Sequence, residues 1–198
     1  MRLSPARFQP VADQVAQPPG GEVVRYLLIG EAPARDEEKK GLHLSLVARA
    51  FEVHRDSPVV LSHPFARAAI HVNLLQRWPG RDGRGSRFPA AGGIKMAQRM
   101  AARMRGDGPR GGCVGGWEWH GFWRSQPDIL ILAGTRVRRA FQLPSKTPHF
   151  CMTASPLLPA FPAFVVPHPS GVSRWWNSPE NRSIARTFLE ILGHATTT

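Results

Sequence analysis

Cysteine is scarce in this chain: of 198 residues, only Cys113 and Cys151 carry a thiol. Two distant thiols exclude a disulfide-dense scaffold and point to a reducing, intracellular setting. Long apolar runs are missing too. None approaches the roughly eighteen residues that a membrane-spanning helix needs, and Met1-Arg2-Leu3-Ser4-Pro5 lacks the apolar centre of a signal peptide. The expected compartment is the cytoplasm, with no membrane partner. Acidic residues are few, 14 Asp and Glu against 26 Lys and Arg, for a net charge of +12. The excess is mostly arginine, whose planar fork matches phosphate better than the point charge of lysine. Such a balance favours nucleic acid or an anionic membrane surface as partner, with solubility or non-specific binding as the plain alternative. There is no internal repeat. No glycine-rich dinucleotide fingerprint follows the first strand either, because Gly30-Glu31-Ala32-Pro33 has proline where helix-start glycines are needed.

What is present reads as alternating strands and helices. Residues 1–21 contain Pro, Gln and Gly and end in Pro18-Pro19-Gly20-Gly21, an arm or linker ahead of one domain over 22–198. Arg25 to Ile29, Ala68 to Leu75, Asp128 to Gly134 and Ala163 to Val166 read as strands, the third wholly apolar and therefore central. Helical spacing covers Leu42 to Phe51 and Ile94 to Met104. A third helix spans Arg136 to Phe141, with Thr135 as its N-cap. The last begins with Ser178 as N-cap and Pro179 behind it. Pro79 to Phe88 reads as a loop, and Gly106 to Gly116 has no assignment. The pattern predicts a three-layer α/β/α sandwich around a mainly parallel four-stranded sheet.

Two strand ends carry the chemistry. The final apolar run delivers His168 between Pro167 and Pro169, followed by Ser170 and Gly171. Flanking prolines fix the backbone and hold an imidazole at the sheet's C-terminal edge, where open α/β sheets place their ligands. The first strand likewise ends in a polar loop, Gly30-Glu31-Ala32-Pro33-Ala34. A third strand end, Ile70-His71-Val72-Asn73-Leu74-Leu75, brings an asparagine ahead of a basic Pro-Gly loop.

Taken together, Gly30-Glu31-Ala32-Pro33, Glu37 and Glu38, Gly41, Asn73 and His168-Pro169-Ser170 resemble the motifs of the uracil-DNA glycosylase superfamily, in order and placement. The closest branch is the bacterial and archaeal iron–sulfur type, and the resemblance runs from Tyr26 to the helix after Ser178. The chain departs from that branch in ways that bear on chemistry. Two cysteines cannot supply the four thiolates of a cluster, so no cofactor and no metal are expected. Leu44 stands where the branch has its base-stacking phenylalanine, His43 replaces the proline before it, and Ala34 replaces a glycine.

The resemblance implies a DNA glycosylase that flips a pyrimidine from the stack, hydrolyses its N-glycosidic bond and leaves an abasic site. In that reading His168 donates to the pyrimidine O2 and Glu31 positions or activates water. Asn73 reads the base edge, Leu44 lies against the base, and Ala32 offers a backbone N–H beside a short side chain. Each also has an ordinary reading: His168 and Asn73 as turn formers, Glu31 as a cap. Arg77, Arg81, Arg84 and Arg87 share one glycine-rich loop suited to phosphates, or simply to solvent. After the histidine loop, Ser170, Val172, Arg174 and Trp175 are the expected DNA contacts, Val172 or Trp175 filling the gap left by the flipped base. Alternatively, Trp175 or Trp176 docks the last helix.

Trp117 to Trp123 is an unusually aromatic segment, open between a core lid, a base-stacking platform and part of a pocket. Cys113, His120, His149 and Cys151 match no standard zinc spacing. The expected substrate is uracil or a modified pyrimidine such as the modified cytosines of some phage DNAs, in base excision repair or antiviral defence, by a monomer acting on DNA. The alternatives are a catalytically lapsed DNA binder of the same fold and a nucleotide or nucleoside hydrolase.

Overall fold

The computed structural model describes residues 24–32, 42–75, 79–82, 85–86, 88–107, 127–170 and 173–195. Its centre is a five-stranded sheet in the order β2-β1-β5-β7-β6. The strands are β1 (Tyr26–Gly30), β2 (Ala69–Asn73), β5 (Ile129–Ala133), β6 (Met152–Ser155) and β7 (Leu158–Val166). The four expected strands are all present and parallel to one another: β1 pairs with β2 and β5, and β5 pairs with β7. The fifth, β6, corrects the expected count of four. It is antiparallel to β7 and irregular between Ala154 and Ser155. It escapes a hydrophobicity reading because it is an edge strand, with only Ser155 fully buried and no apolar run to mark it.

Period-two alternation divides the strands between two cores. Tyr26, Leu28, Ile129, Ile131, Phe164 and Val166 face one core, with α1 (Leu42–Phe51), α2 (Pro58–Ser62), α3 (Pro64–Ala68) and α6 (Pro179–His194). Leu27, Ile29, Leu130, Leu132, Ala163 and Val165 face the other, with α4 (Ala90–Met104) and α5 (Thr135–Ala140). β1 and β5 are buried along their whole length, which is why they are continuous apolar runs rather than alternating ones. This is the three-layer sandwich that the sequence predicts.

The remaining differences are local. Pro79 to Phe88 contains a small antiparallel ribbon, β3 (Arg81–Asp82) with β4 (Gly85–Ser86). α4 begins at Ala90, one turn ahead of the expected start. Thr135 is the first residue of α5 rather than its cap; Gly134 is the cap, with φ at +94°. α6 starts as expected, Ser178 Oγ accepting from the Asn181 N–H behind Pro179. Ile184 and Thr187 lie outside its buried stripe of Ala185, Phe188, Leu189 and Leu192. No helix among the described residues is long and apolar enough to cross a membrane. The arm over 1–21, Gly106 to Gly116 beyond Asp107, and the aromatic segment Trp117 to Trp123 lie outside the described residues.

Candidate functional site

The chain passes from β1 to β2 on one side and then returns to place β5 on β1's other side. The C-terminal ends of β1 and β5 therefore flank a topological switch point, the crevice where doubly wound sheets bind ligands. Glu31 follows β1 and Gly134 follows β5. One strand further on, β7 ends at Val166, whose carbonyl accepts from the Gly134 N–H at 2.8 Å, and His168 follows. A Cβ built on Gly134 would stand 3.1 Å from Glu31 Oε1 and 3.2 Å from His168 Cβ. The carboxylate and the imidazole thus converge over one α-carbon, and only a glycine both tolerates this φ and leaves room for them.

Each group is held from behind. Glu31 Oε2 accepts from Arg136 Nη1 at 3.1 Å, and its side chain is 19% exposed. Arg136, on the first turn of α5, also stacks its guanidinium over the Phe88 ring. The histidine loop is fixed by its backbone. The His168 carbonyl accepts from Trp176 Nε1–H at 2.9 Å, and the Pro169 carbonyl accepts from Arg49 Nε–H at 3.1 Å. Pro167 and Pro169 are buried. The Ser170 N–H donates to His168 Nδ1 at 3.2 Å. With Nδ1 accepting, a neutral ring carries its proton on Nε2, so the outer nitrogen is a donor.

Asn73 closes the other side. It is opposite Gly30 in the β1–β2 register and only 8% exposed. His71, two residues earlier on the same face of β2, accepts at Nδ1 from the Leu42 N–H at 3.3 Å and faces Asn73 Oδ1 through Nε2 at 3.2 Å. An accepting Nδ1 makes Nε2 the donor, so Asn73 receives on its oxygen and keeps its amide N–H groups for a ligand. Burial pushes His71 from its ordinary 6.5 down to about 4, and the nearby His43 and His168 push the same way against the Asn73 bond.

His71 is therefore neutral in the folded protein at neutral pH, whereas the unfolded chain takes up its proton below 6.5. Stability should fall as pH drops from 6.5 towards 4, by about 2 kcal/mol at pH 4.5, and be indifferent to this group above 6.5. Urea unfolding at pH 7 and pH 4.5, compared with His71→Gln, isolates the effect: the variant should lose less stability between the two. Equal losses would show that His71 is not the group responsible.

Gly30 is needed for space rather than for φ. A Cβ there would overlap Asn73 Oδ1 and lie 2.9 Å from Leu42 Cδ2 and 3.2 Å from His71 Nε2. Gly30→Ala should destabilise the fold by about 1–3 kcal/mol, the usual range for overpacking a filled interior. Chemical denaturation reads it directly, and an unchanged midpoint would mean that the Asn73 side chain yields freely.

The expected site residues divide clearly. Glu31, His168 and Asn73 come to one edge of the sheet, with Ala32 half-buried behind Glu31. Leu44 is partly buried and packs against the α1–α6 core, while its neighbour His43 places a ring 6.3 Å from that of His71. Trp175 packs against His149, Phe150 and Trp176 in an aromatic cluster, so its contacts support the docking reading over insertion into DNA. Arg174 is exposed on the 3-10 turn Arg174–Asn177. Ser170 is half-buried, its N–H spent on His168. Arg77, Arg84, Arg87 and Val172, with Pro33, Ala34, Glu37, Glu38 and Gly41 of the first motif, lie outside the described residues. Of Arg81 only the backbone is described, in β3.

Sequence reasoning assigned no role to Gly134, Arg136, His43 or His71. Only His71 carried a usable signal, since a period of two puts it on the face of Asn73. His43 Nδ1 is buried without a hydrogen-bond partner, and burial pushes its ring below the usual histidine range. Among the described residues no group of three or more His, Cys, Asp or Glu side chains is arranged to hold a metal. Of the four Cys and His residues whose spacing matches no standard zinc site, Cys113 and His120 lie outside the described residues. Neither a protein-family model nor a curated protein matches this chain.

Proposed function

We propose that this protein is a DNA glycosylase acting on uracil or a modified pyrimidine. The observation that carries the reading is the meeting of Glu31 and His168 over Gly134 at the switch point, with the Asn73 amide beside it. Glycosidic cleavage builds positive charge on the sugar and negative charge on the departing base, and these groups answer both. His168 Nε2–H donates to the pyrimidine O2 as that oxygen gains charge. Glu31 Oε1, the carboxylate oxygen not paired with Arg136, orients water towards the sugar carbon and favours its positive character. Asn73 donates its amide hydrogens to a carbonyl of the flipped base, its own oxygen being occupied by His71. The motif order quoted above and the net charge of +12 support a DNA substrate.

A second reading, a lapsed binder of the same fold, is favoured by one contact: Arg136 claims an oxygen of the very carboxylate that must handle water. The test is an oligonucleotide panel carrying uracil, mismatched thymine and several modified cytosines, single- and double-stranded, treated with alkali to break abasic sites. Strand breaks at one base support the glycosylase and identify its substrate. Tight, salt-sensitive binding with no breaks across the panel favours the lapsed binder.

A further inference from the structure

The chemistry-bearing edge of the sheet does not stop at His168. The last two carbonyls of β7 tie down two further elements just ahead of the histidine loop. Val166 accepts from the Gly134 N–H at 2.8 Å, and Gly134 in turn accepts from the Arg138 N–H at 3.1 Å in the first turn of α5. Val165 accepts from the Phe150 N–H at 2.9 Å, which sets His149 alongside the end of β7. Arg138 and His149 are therefore brought to the flank of the histidine loop by the same strand that delivers His168.

His149 is half-buried and held by ring contacts, edge-on to Trp175 at 6.0 Å and to Phe150 at 6.3 Å between centroids. No hydrogen bond among the described residues uses its ring nitrogens. Burial, and after it the positive charge of Arg138, push the ring below the usual histidine range. At neutral pH it is uncharged and has one N–H to donate.

Arg138 is the informative member. It is half-buried, and its Nε is shut away from solvent without a hydrogen-bond partner. No ion pair among the described residues includes it, and Glu31, the carboxylate of this edge, is taken by Arg136. A partly desolvated cation without a counter-ion is unfavourable by itself and gains more from an arriving anion than an arginine in bulk water does. Its planar fork suits two oxygens of one phosphate, and the neighbouring imidazole adds an uncharged donor. Arg174, exposed and next in the chain to Trp175, carries the basic strip onward.

We infer that Arg138 and His149 form a phosphate seat on the flank of the histidine loop, holding one backbone phosphate of the nucleic-acid strand engaged at Glu31 and His168. The assignment of a strand rests on the DNA reading above; the phosphate chemistry of the pair does not.

The test is fluorescence-anisotropy binding of a plain single-stranded oligonucleotide, with no cleavable base, across a salt series. The full-length proteins are wild type, Arg138→Gln, Arg138→Lys, His149→Phe and a control, Arg67→Gln. Arg67 lies at the end of α3, where the chain enters β2 at the sheet edge opposite the site. Arg138→Gln should weaken binding about fivefold at low salt and flatten the log–log salt slope by about 0.7, the value of one single-strand phosphate contact. Arg138→Lys keeps the charge without the fork, so it should restore the slope and recover only part of the affinity. His149→Phe keeps the packing on Trp175 and removes an uncharged donor, for a loss of about threefold at the wild-type slope. Arg67→Gln should change neither quantity, and circular dichroism verifies the fold of each variant.

Arg138→Gln indistinguishable from the control overturns the inference. So does a loss of affinity at an unchanged slope, because no phosphate would then be neutralised at Arg138. Unchanged affinity in His149→Phe overturns the pairing of the two side chains. Calorimetric titration with inorganic pyrophosphate separates the sources of phosphate. Heat that depends on Arg138, in a protein whose oligonucleotide affinity ignores it, would give the seat to a small phosphate compound and overturn the strand. Arg138-dependent binding in a protein that makes no abasic sites upholds the seat and removes the glycosylase. Abasic sites formed by a protein whose binding ignores Arg138 do the reverse.

Discussion

His168→Ala is expected to lower the single-turnover rate of base release by about 10²–10³-fold, the usual effect of deleting one donor aimed at a developing oxyanion. Oligonucleotide affinity should stay within about threefold of wild type, because the donor matters most once the base oxygen becomes charged. The expectation follows from the loop's hydrogen bonds. Ser170 N–H occupies Nδ1, so the proton of a neutral ring sits on Nε2 without any need for protonation. Trp176 and Arg49 hold the loop through backbone carbonyls, and neither bond involves the imidazole. Alanine therefore removes the donor, and with it the acceptor of the Ser170 N–H, but leaves the Trp176 and Arg49 anchors of the loop standing. Quantifying alkali-labile sites against time, at saturating enzyme, makes the measurement. A loss below about fivefold would take the imidazole out of the chemistry.

Glu31→Gln should cost a further, separable 10²–10⁴-fold or so, the range associated with a positioned acid–base group. Glutamine keeps the length of the side chain and an oxygen for Arg136, so the 3.1 Å contact and the clearance over Gly134 survive. Only the negative charge and the ability to draw a proton from water are lost. Binding of substrate oligonucleotide should hold or improve slightly, since a carboxylate no longer faces an anionic strand. The single-turnover assay described for His168 reads the rate, and a melting curve verifies the fold. A variant of wild-type rate would assign Glu31 to structure, as the partner of Arg136 alone.

The elements that were legible in the sequence are those whose environment is uniform. β1 and β5 are buried on both faces, and the end of β7 is too, so they print as unbroken apolar runs. β6 borders solvent, and its register against β7 breaks at Ser155, so no period survives to be read. α2 and α3 are five residues each, below the length at which a helical period can show, and only their leading prolines mark them. The same physics divides the site. Glu31, Asn73 and His168 stand just past or at strand ends, where a polar residue after an apolar run is conspicuous. Arg136 reads as an ordinary helix-surface arginine, and its contact with Glu31 exists only because β5 lies beside β1. Gly134 reads as the end of a strand. Its role depends on two side chains, from residues 31 and 168, arriving over it.

The bond from Tyr26 Oη–H to the Leu192 carbonyl, 2.8 Å long and buried, joins the first strand to the last helix. Around it the central strands pair across wide gaps, Tyr26 with Ile129 and Leu130 with Ala163. Such long-range parallel pairing is slow to form. During synthesis, β1 emerges roughly a hundred residues before β5 and cannot complete its ladder until that partner arrives. β5 in turn keeps a bare, wholly apolar edge until β7 follows. The nascent chain thus carries an unpaired apolar strand edge throughout, first on β1 until Ala133 has emerged and then on β5 until Val166 has, and its aggregation hazard spans both intervals.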